Sequence, residues 1–412
     1  MKALPERVPV ESLCRNVTSG GTPSRSNSRF WEDGVIPWFK SGELHDWYVE
    51  KAGEQITEEG LENSAAKIFP PNTILMAMYG DGKTITSLGI LRAEAATNQA
   101  CCALMADPEK SHFLYLFYAL KHHRHELLKL VVAGAQRNLT GGIIRNFKIT
   151  RHPLRVQQGI VETLSAYDEL MENNRRRMEL LEESARLLYR EWFVRLRFPG
   201  HEHARLTHGI PEGWRKVTLG SITAKIGSGA TPRGGSAAYL SEGITLIRSL
   251  NVYDDRFEDA GLAFISEEQA SDLDNVTVQS RDILLNITGA SVARCCMTPD
   301  RYLPARVNQH VMIIRVDSSK ADPFLVHAAI NSDERKRQLL SYAQKGSTRE
   351  ALTKDMISAF EITLPTDTLM SQFGEFAQAC FLQRENLALQ NQKLRPARDL
   401  LLPRLMSGEI AV

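Results

Sequence analysis

Arg25, Asn27 and Arg29 stand at alternate positions in the turn-rich run SGGTPSRSNSRF, residues 19–30. Their polar heads suit hydrogen bonding to base edges and to phosphates. A solvated Gly/Ser/Pro loop is the plainer reading of the same run. A second run of this kind, GSGATPRGGS at 227–236, carries Arg233. Beyond it, Arg248 and Asn251 follow an expected strand, and Arg294 lies in a loop between two more. Lys345 opens the basic, hydroxylated turn KGSTR. Lys83 lies in YGDGKT (79–84), a string that invites comparison with a phosphate-binding loop. The Walker spacing requires a glycine five positions before Gly82, where this chain has Ala77, and no helix pattern follows. A hairpin loop exposing a lysine and a hydroxyl is therefore expected there. The expected contact residues fall into two sets: Arg25, Asn27, Arg29 and Lys83 in the first half of the chain, and Arg233, Arg248, Asn251, Arg294 and Lys345 in the second.

Covalent chemistry is harder to find. An adenine methyltransferase needs a [DN]PP[YF] string, and the nearest match, Phe69-Pro-Pro-Asn72, has the order reversed. No acidic cluster with a nearby lysine suggests a nuclease centre. His122, His123 and His125 do not place two rings at i, i+4, so they read as a solvated helix face and not as a metal pair. The six cysteines include two adjacent pairs, Cys101-Cys102 and Cys295-Cys296, with no CxxC spacing, and read as reduced core residues. No catalytic residue, metal or cofactor is expected on this chain.

The frame for these side chains is supplied twice. Gly20-Gly21-Thr22-Pro23 returns as Gly229-Ala230-Thr231-Pro232, Asn98-Gln99 as Asn308-Gln309, Leu139-Thr140 as Leu352-Thr353, and Ala185-Arg186 as Ala397-Arg398. The offset stays near 210 (231 − 22 = 209, 352 − 139 = 213). Matches in order at a constant offset mark an internal repeat. Within each repeat, short continuous apolar runs read as buried strands: 36–39, 73–78, 100–105 and 147–149, then 282–287, 310–316 and 361–364. An amphipathic helix capped by Ser111 is expected to Val132, and its counterpart starts at the cap Asp322-Pro323.

Each repeat ends in a long helix. From Gln157 to Arg195, the residues Ile160, Leu164, Tyr167, Met171, Asn174, Met178, Leu181, Ala185, Leu188 and Trp192 alternate spacings of four and three. That is a heptad seam about 50 Å long. Asn174 within it is expected to trade stability for register. The second helix, from about Leu369 to Met406, has a seam interrupted by Arg384, Asn391 and Arg398. Pro396 and Pro403 within it predict kinking. Because the first helix carries the chain out and the second carries it back, an antiparallel pair is expected. The fold class is α+β: two repeated α/β modules separated by two long antiparallel coiled-coil helices, with pseudo-twofold repetition. The expected boundaries are 1–156, 157–198, 199–366 and 367–412.

At 412 residues, 43% hydrophobic and 24% charged, the chain is long enough for two cores. No apolar stretch is long enough to span a membrane, and the first residues lack a signal-peptide core, so a cytoplasmic location is expected. A net charge of +1 means that nucleic-acid contact would rest on local patches or on partner subunits.

Several stretches resemble the specificity subunits of type I restriction-modification enzymes. They are Asn138-Leu-Thr140 with Phe147 to Leu154 and Gln157-Gln158; Leu188-Tyr-Arg-Glu-Trp-Phe193 with Arg197-Phe-Pro-Gly200; Pro211-Glu-Gly-Trp214; and the tail from Ala397 to Glu409. The resemblance covers essentially the whole chain and is carried by its helical regions. It implies a non-catalytic subunit whose two target recognition domains each read one half of a bipartite, asymmetric site in double-stranded DNA. The helices would set the spacer and dock two methyltransferase subunits, which would carry the S-adenosylmethionine. Motor-nuclease subunits would join that core. From the residues alone, two other readings stay open: a coiled-coil scaffold bearing sugar- or protein-binding modules, and a self-contained enzyme.

Overall fold

The computed structural model describes residues 6–80, 84–133, 138–207, 209–345 and 351–412. The chain forms two compact units, one of Met1–Asn173 with Gln390–Val412 and the other of Asn174–Leu389.

In the first unit a five-stranded sheet has the order Cys14–Ser19, Cys101–Ala106, Ile74–Ala77, Leu88–Leu91, Trp47–Val49. A four-stranded sheet has the order Glu54–Ile56, Ile36–Phe39, Ala95–Thr97, Ile68–Phe69. The apolar runs are continuous because the larger sheet is covered on both faces. Ile74, Met76, Cys102 and Leu104 pack on the helix Phe113–His122 and on Ile160, Leu164, Leu402 and Leu405 of the two long helices. Leu75, Ala77, Cys101 and Ala103 face the other way, onto Phe39 and Phe69. A leucine such as Leu75, 0% exposed, contributes about 1.5–3 kcal/mol by leaving water.

The second unit repeats this plan with different residues. One sheet runs Thr223–Ser228, Val311–Val316, Ile283–Asn286, Cys295–Met297, and the other Ala263–Ile265, Ile244–Ile247, Ala305–Val307, Thr277–Val278. The smaller sheets match strand for strand, and so do the larger ones except that the first unit's edge strand Trp47–Val49 has no counterpart among the described residues of the second. In both, the smaller sheet contains one parallel pair, Ile36–Phe39 with Ala95–Thr97 and Ile244–Ile247 with Ala305–Val307. The faces divide alike: Ile283, Leu285, Met312 and Ile314 pack on the helix Pro323–Asn331, while Leu284, Cys296 and Ile313 pack on Ile247 and Val307. Each unit also closes with a two-stranded ladder, Glu6–Pro9 on Lys148–Arg151 and Arg215–Thr218 on Glu361–Leu364.

The first long helix is Leu154–Tyr189, continued by a π-helical turn at Arg190–Val194. The second, Asp367–Met406, runs on through Pro396 and Pro403. In the first unit, the Asn391 amide donates to the Met171 carbonyl at 3.1 Å, and Arg398 pairs with the buried Asp168. In the second unit, Arg384 pairs with Glu182 at 2.9 Å, and the Phe373 ring lies 5.8 Å and 5.2 Å from Tyr189 and Phe193. Partner numbers fall on one helix as they rise on the other, so the helices are antiparallel within each unit. The three residues that interrupt the second seam are thus the three that hold it polar-to-polar against the first. On the first helix, Ile160, Leu164 and Asn174 are buried and the other seam positions half-buried, while Leu180 and Leu187, off the seam, are exposed.

Several expectations are corrected. The helix expected from Ser111 to Val132 is two helices, Phe113–His122 and Arg124–Ala133, and its cap is His112, whose Nδ1 accepts from the Leu114 N–H at 3.2 Å. The break falls at His123, which is 5% exposed and not solvated. Its Nδ1 lies 2.7 Å from the Glu126 carboxylate and its Nε2 lies 3.2 Å from the Thr150 hydroxyl, while burial holds its pKa below the usual histidine value. Leu88–Leu91 and Trp47–Val49 are strands that the sequence pattern leaves unmarked. All six cysteines are free thiols and buried, and burial pushes Cys14, Cys101 and Cys102 up to about 12.

Candidate nucleic-acid interface

The repeated Gly-Gly/Ala-Thr-Pro motif is a seat for a loop. A Cβ on Gly20 would stand 2.1 Å from the Thr97 carbonyl oxygen, and one on Gly229 would stand 2.0 Å from that of Val307, so only glycine lets the backbone come this close. The next residues donate backbone N–H to the same carbonyls, Gly21 to Thr97 at 2.9 Å and Ala230 to Val307 at 3.1 Å. Thr22 donates to Gln99, and Thr231 to Gln309. Asn98 and Asn308 then cap the turn beneath, accepting from Ala100 and His310 at 3.1 Å each. The residues shared by the two repeats therefore hold the loops, and among those that differ Arg29 and Arg233 are exposed.

In the first unit the loop is pinned. Trp38 donates its indole N–H to Gly21 at 2.9 Å, and Trp31 donates to Ser24 at 3.0 Å. Arg25 lies 3.7 Å above the Trp31 ring and pairs with Glu54 at 2.5 Å, where Lys40 also arrives at 2.8 Å. Hydrogen bonds from Lys40 and Arg25 hold the Glu54 carboxyl below its ordinary pKa. Asn27 caps a short 3-10 turn, accepting from the Arg29 N–H at 3.3 Å. Arg29 is exposed, and its guanidinium has no hydrogen bond or ion pair among the described residues. Lys83 lies outside the described residues.

In the second unit Arg233 is likewise exposed, with no partner for its guanidinium among the described residues. Arg248 stacks 5.1 Å from the Tyr239 ring and donates to the Gly261 carbonyl. Arg294 stacks 4.6 Å from the Tyr253 ring. Asn251 is 0% exposed: it accepts from the Arg248 N–H at 3.0 Å and donates to Glu258 at 2.8 Å. A buried amide committed in this way shapes a turn and cannot reach a ligand, which takes Asn251 out of the contact set. Lys345 ends the helix Asp333–Lys345, but its side chain lies outside the described part.

The sequence reading missed Lys40, which occupies the place of Arg248: its N–H is capped by Glu43 at 2.6 Å as that of Arg248 is by Asn251. The repeat offset was the signal available for it. Arg92 was also missed. It stacks 4.0 Å from Tyr48 and pairs with Glu50 at 2.9 Å, and no local motif marks it. Stacked, ion-paired arginines are held in shape and available for planar contact.

Two modules built on one plan, each ending in a long helix and presenting its own set of arginines, define a protein with a duplicated α/β architecture. Residues 6–183 match the model of the type I restriction modification DNA specificity domain. The chain is 27% identical over 410 residues to the type I restriction enzyme MjaIX specificity subunit of Methanocaldococcus jannaschii, covering 96% of this chain and 91% of that one. It is 28% identical over 155 residues to the EcoR124I/EcoR124II specificity subunit of Escherichia coli, covering 37% and 38%. The crystal structure of the S subunit from M. genitalium has the same fold, with a TM-score of 0.64 at 16% identity, covering 98% of this chain and 97% of that one. Residues 6–183 thus carry a type I restriction modification DNA specificity domain, and over nearly its whole length the chain is similar to type I restriction enzyme specificity subunits.

Proposed function

We propose that the chain is the DNA-recognition subunit of a type I restriction-modification complex, with residues 1–156 and 199–366 as its target recognition domains. Each domain reads one half of a bipartite, asymmetric site in duplex DNA. The observation that carries this reading is the division of labour within the repeat: shared residues seat the loops, and the arginines they display differ. Arg25, Arg29 and Lys83 serve one half-site, with Asn27 shaping the loop that carries the two arginines, and Arg233, Arg248, Arg294 and Lys345 serve the other. The helices at 157–198 and 367–412 set the spacer and dock two methyltransferase subunits. S-adenosylmethionine and catalysis belong to those partners, and motor-nuclease subunits join the assembly. With no helix among the described residues long and apolar enough to cross a membrane, a cytoplasmic place suits this role.

Methylome sequencing of cells expressing the chain with its cognate methyltransferase tests the reading. A gapped site with two unlike halves is expected, and exchanging residues 199–366 for those of a relative should change one half only. Methylation at a single ungapped site, or changes in both halves, would overturn it.

A further inference from the structure

The repeat is closed at one place in the first unit and open at the corresponding place in the second. In the first unit Tyr118, 0% exposed, donates its hydroxyl to Asp168 at 2.7 Å, and Arg398 closes the pair from the second long helix. Leu402, 6% exposed, packs beside them. The helix caps His112 and Asp322 set the correspondence on the shorter helix, placing Ala328 where Tyr118 stands. The two ladder strands Lys148–Arg151 and Glu361–Leu364 place Phe381 for Asp168. The Ala-Arg repeat places Arg186 for Arg398 and Arg190 for Leu402. Phenol, carboxylate and leucine have become alanine, phenylalanine and arginine.

What remains in the second unit is a cavity of about 560 Å3, lined among others by Ala185, Tyr189, Ala328, Phe373 and Phe381. Most polar groups on its wall are already matched. Arg384 pairs with Glu182, and Asn331 bridges His327 and Asp255. Among the buried side-chain atoms of this wall, Arg190 Nε is the one with no hydrogen-bond partner among the described residues. A buried donor left alone is costly, so an acceptor is wanted at that point. Val194, 52% exposed, lies at the same cavity and extends its apolar lining.

We propose that this cavity receives an anchor from the methyltransferase subunit: an aromatic side chain next to a carboxylate, the same pieces that fill the first unit from within. The aromatic ring occupies the space left at Ala328, and the carboxylate accepts from Arg190 Nε. The proposal rests on the functional reading above. It makes the two docking faces chemically unequal, one self-plugged and one completed by the partner.

Binding of the purified cognate methyltransferase to the full chain, with the melting temperature of the free chain recorded alongside, tests it. Ala328→Tyr supplies the ring internally, and Arg190→Met keeps the stem while removing the donor. Each should weaken association by about tenfold or more, as loss of a central anchor does. Each should also leave the melting temperature unchanged or raised. If Ala328→Tyr melts lower, Arg190→Met decides. Undiminished binding in the variants would overturn the pocket alone. Failure of the unmodified chain to bind would overturn the functional reading, and the proposed occupant with it. Loss of self-association with methyltransferase binding intact would assign the cavity to a second copy of the chain and overturn the proposal.

Discussion

Of the arginines expected to contact nucleic acid, Arg29 and Arg233 are exposed with no guanidinium partner among the described residues, and Arg25 is already engaged by Glu54 and two tryptophans. Arg29→Ala or Arg233→Ala should therefore act on the nucleic acid and leave folding alone. If the lost contact is to a base, about 1–3 kcal/mol of discrimination disappears at one position of the methylated site. If it is to a phosphate, all sites weaken alike. Unchanged affinity and an unchanged site in both variants would remove these residues from the interface. Asn251→Ala should do the opposite. It leaves the Arg248 N–H and the Glu258 carbonyl without partners, at about 1–3 kcal/mol of stability. Denaturant unfolding should read that loss, and a midpoint equal to the unmodified chain would refute it. These contrasts mark what a sequence can convey about a site. Residue type and loop placement were legible at Arg29 and Arg233. At Asn251 they misled, because only the folded turn reveals that a polar head is already used.

Among the elements, the central strands Ile74–Ala77, Cys101–Ala106, Ile283–Asn286 and Val311–Val316 and the first long helix were legible because burial on two faces, or a heptad stripe, leaves a local pattern. The break at His123 was not: it depends on contacts with Glu126 and Thr150, the latter 27 residues away. The second long helix is the instructive case. Its seam looks defective in isolation, and only the partner helix gives Arg384, Asn391 and Arg398 their purpose. Arg398 and Asp168 are 7% and 5% exposed, so removing one charge strands the other. Arg398→Met should destabilise the first unit by about 3–5 kcal/mol, and adding Asp168→Leu should restore much of it, since a buried pair is often replaceable by apolar packing. A double-mutant cycle on thermal or denaturant unfolding checks both outcomes. A single variant as stable as the parent would show that the pair is solvated and of little consequence. Asn174, 1% exposed and interacting, belongs to the same class of polar seam residue.

For the whole molecule, the question is what the helices contribute beyond packing. The first begins in the first unit and ends in the second, and the second runs the reverse course. If together they are the spacer of the proposed recognition subunit, their length fixes the gap in the DNA site while the modules fix its halves. Four residues added to each helix lengthen it by about 6 Å. Duplex DNA rises about 3.4 Å per base pair, so the gap should grow by one or two base pairs. Insertion after Arg176 and after Asn386 would keep the Asn391–Met171 and Arg384–Glu182 contacts on either side. Both helices must grow together, because an antiparallel pair cannot absorb a one-sided insertion without bulging. Four residues exceed a turn by about 40°, so some affinity should be lost through the change of heptad phase. Sequencing methylated sites for the lengthened protein gives the answer. A wider gap between unchanged halves is the expected result, whereas an unchanged gap, or altered bases within the halves, would mean that the helices do not set the distance.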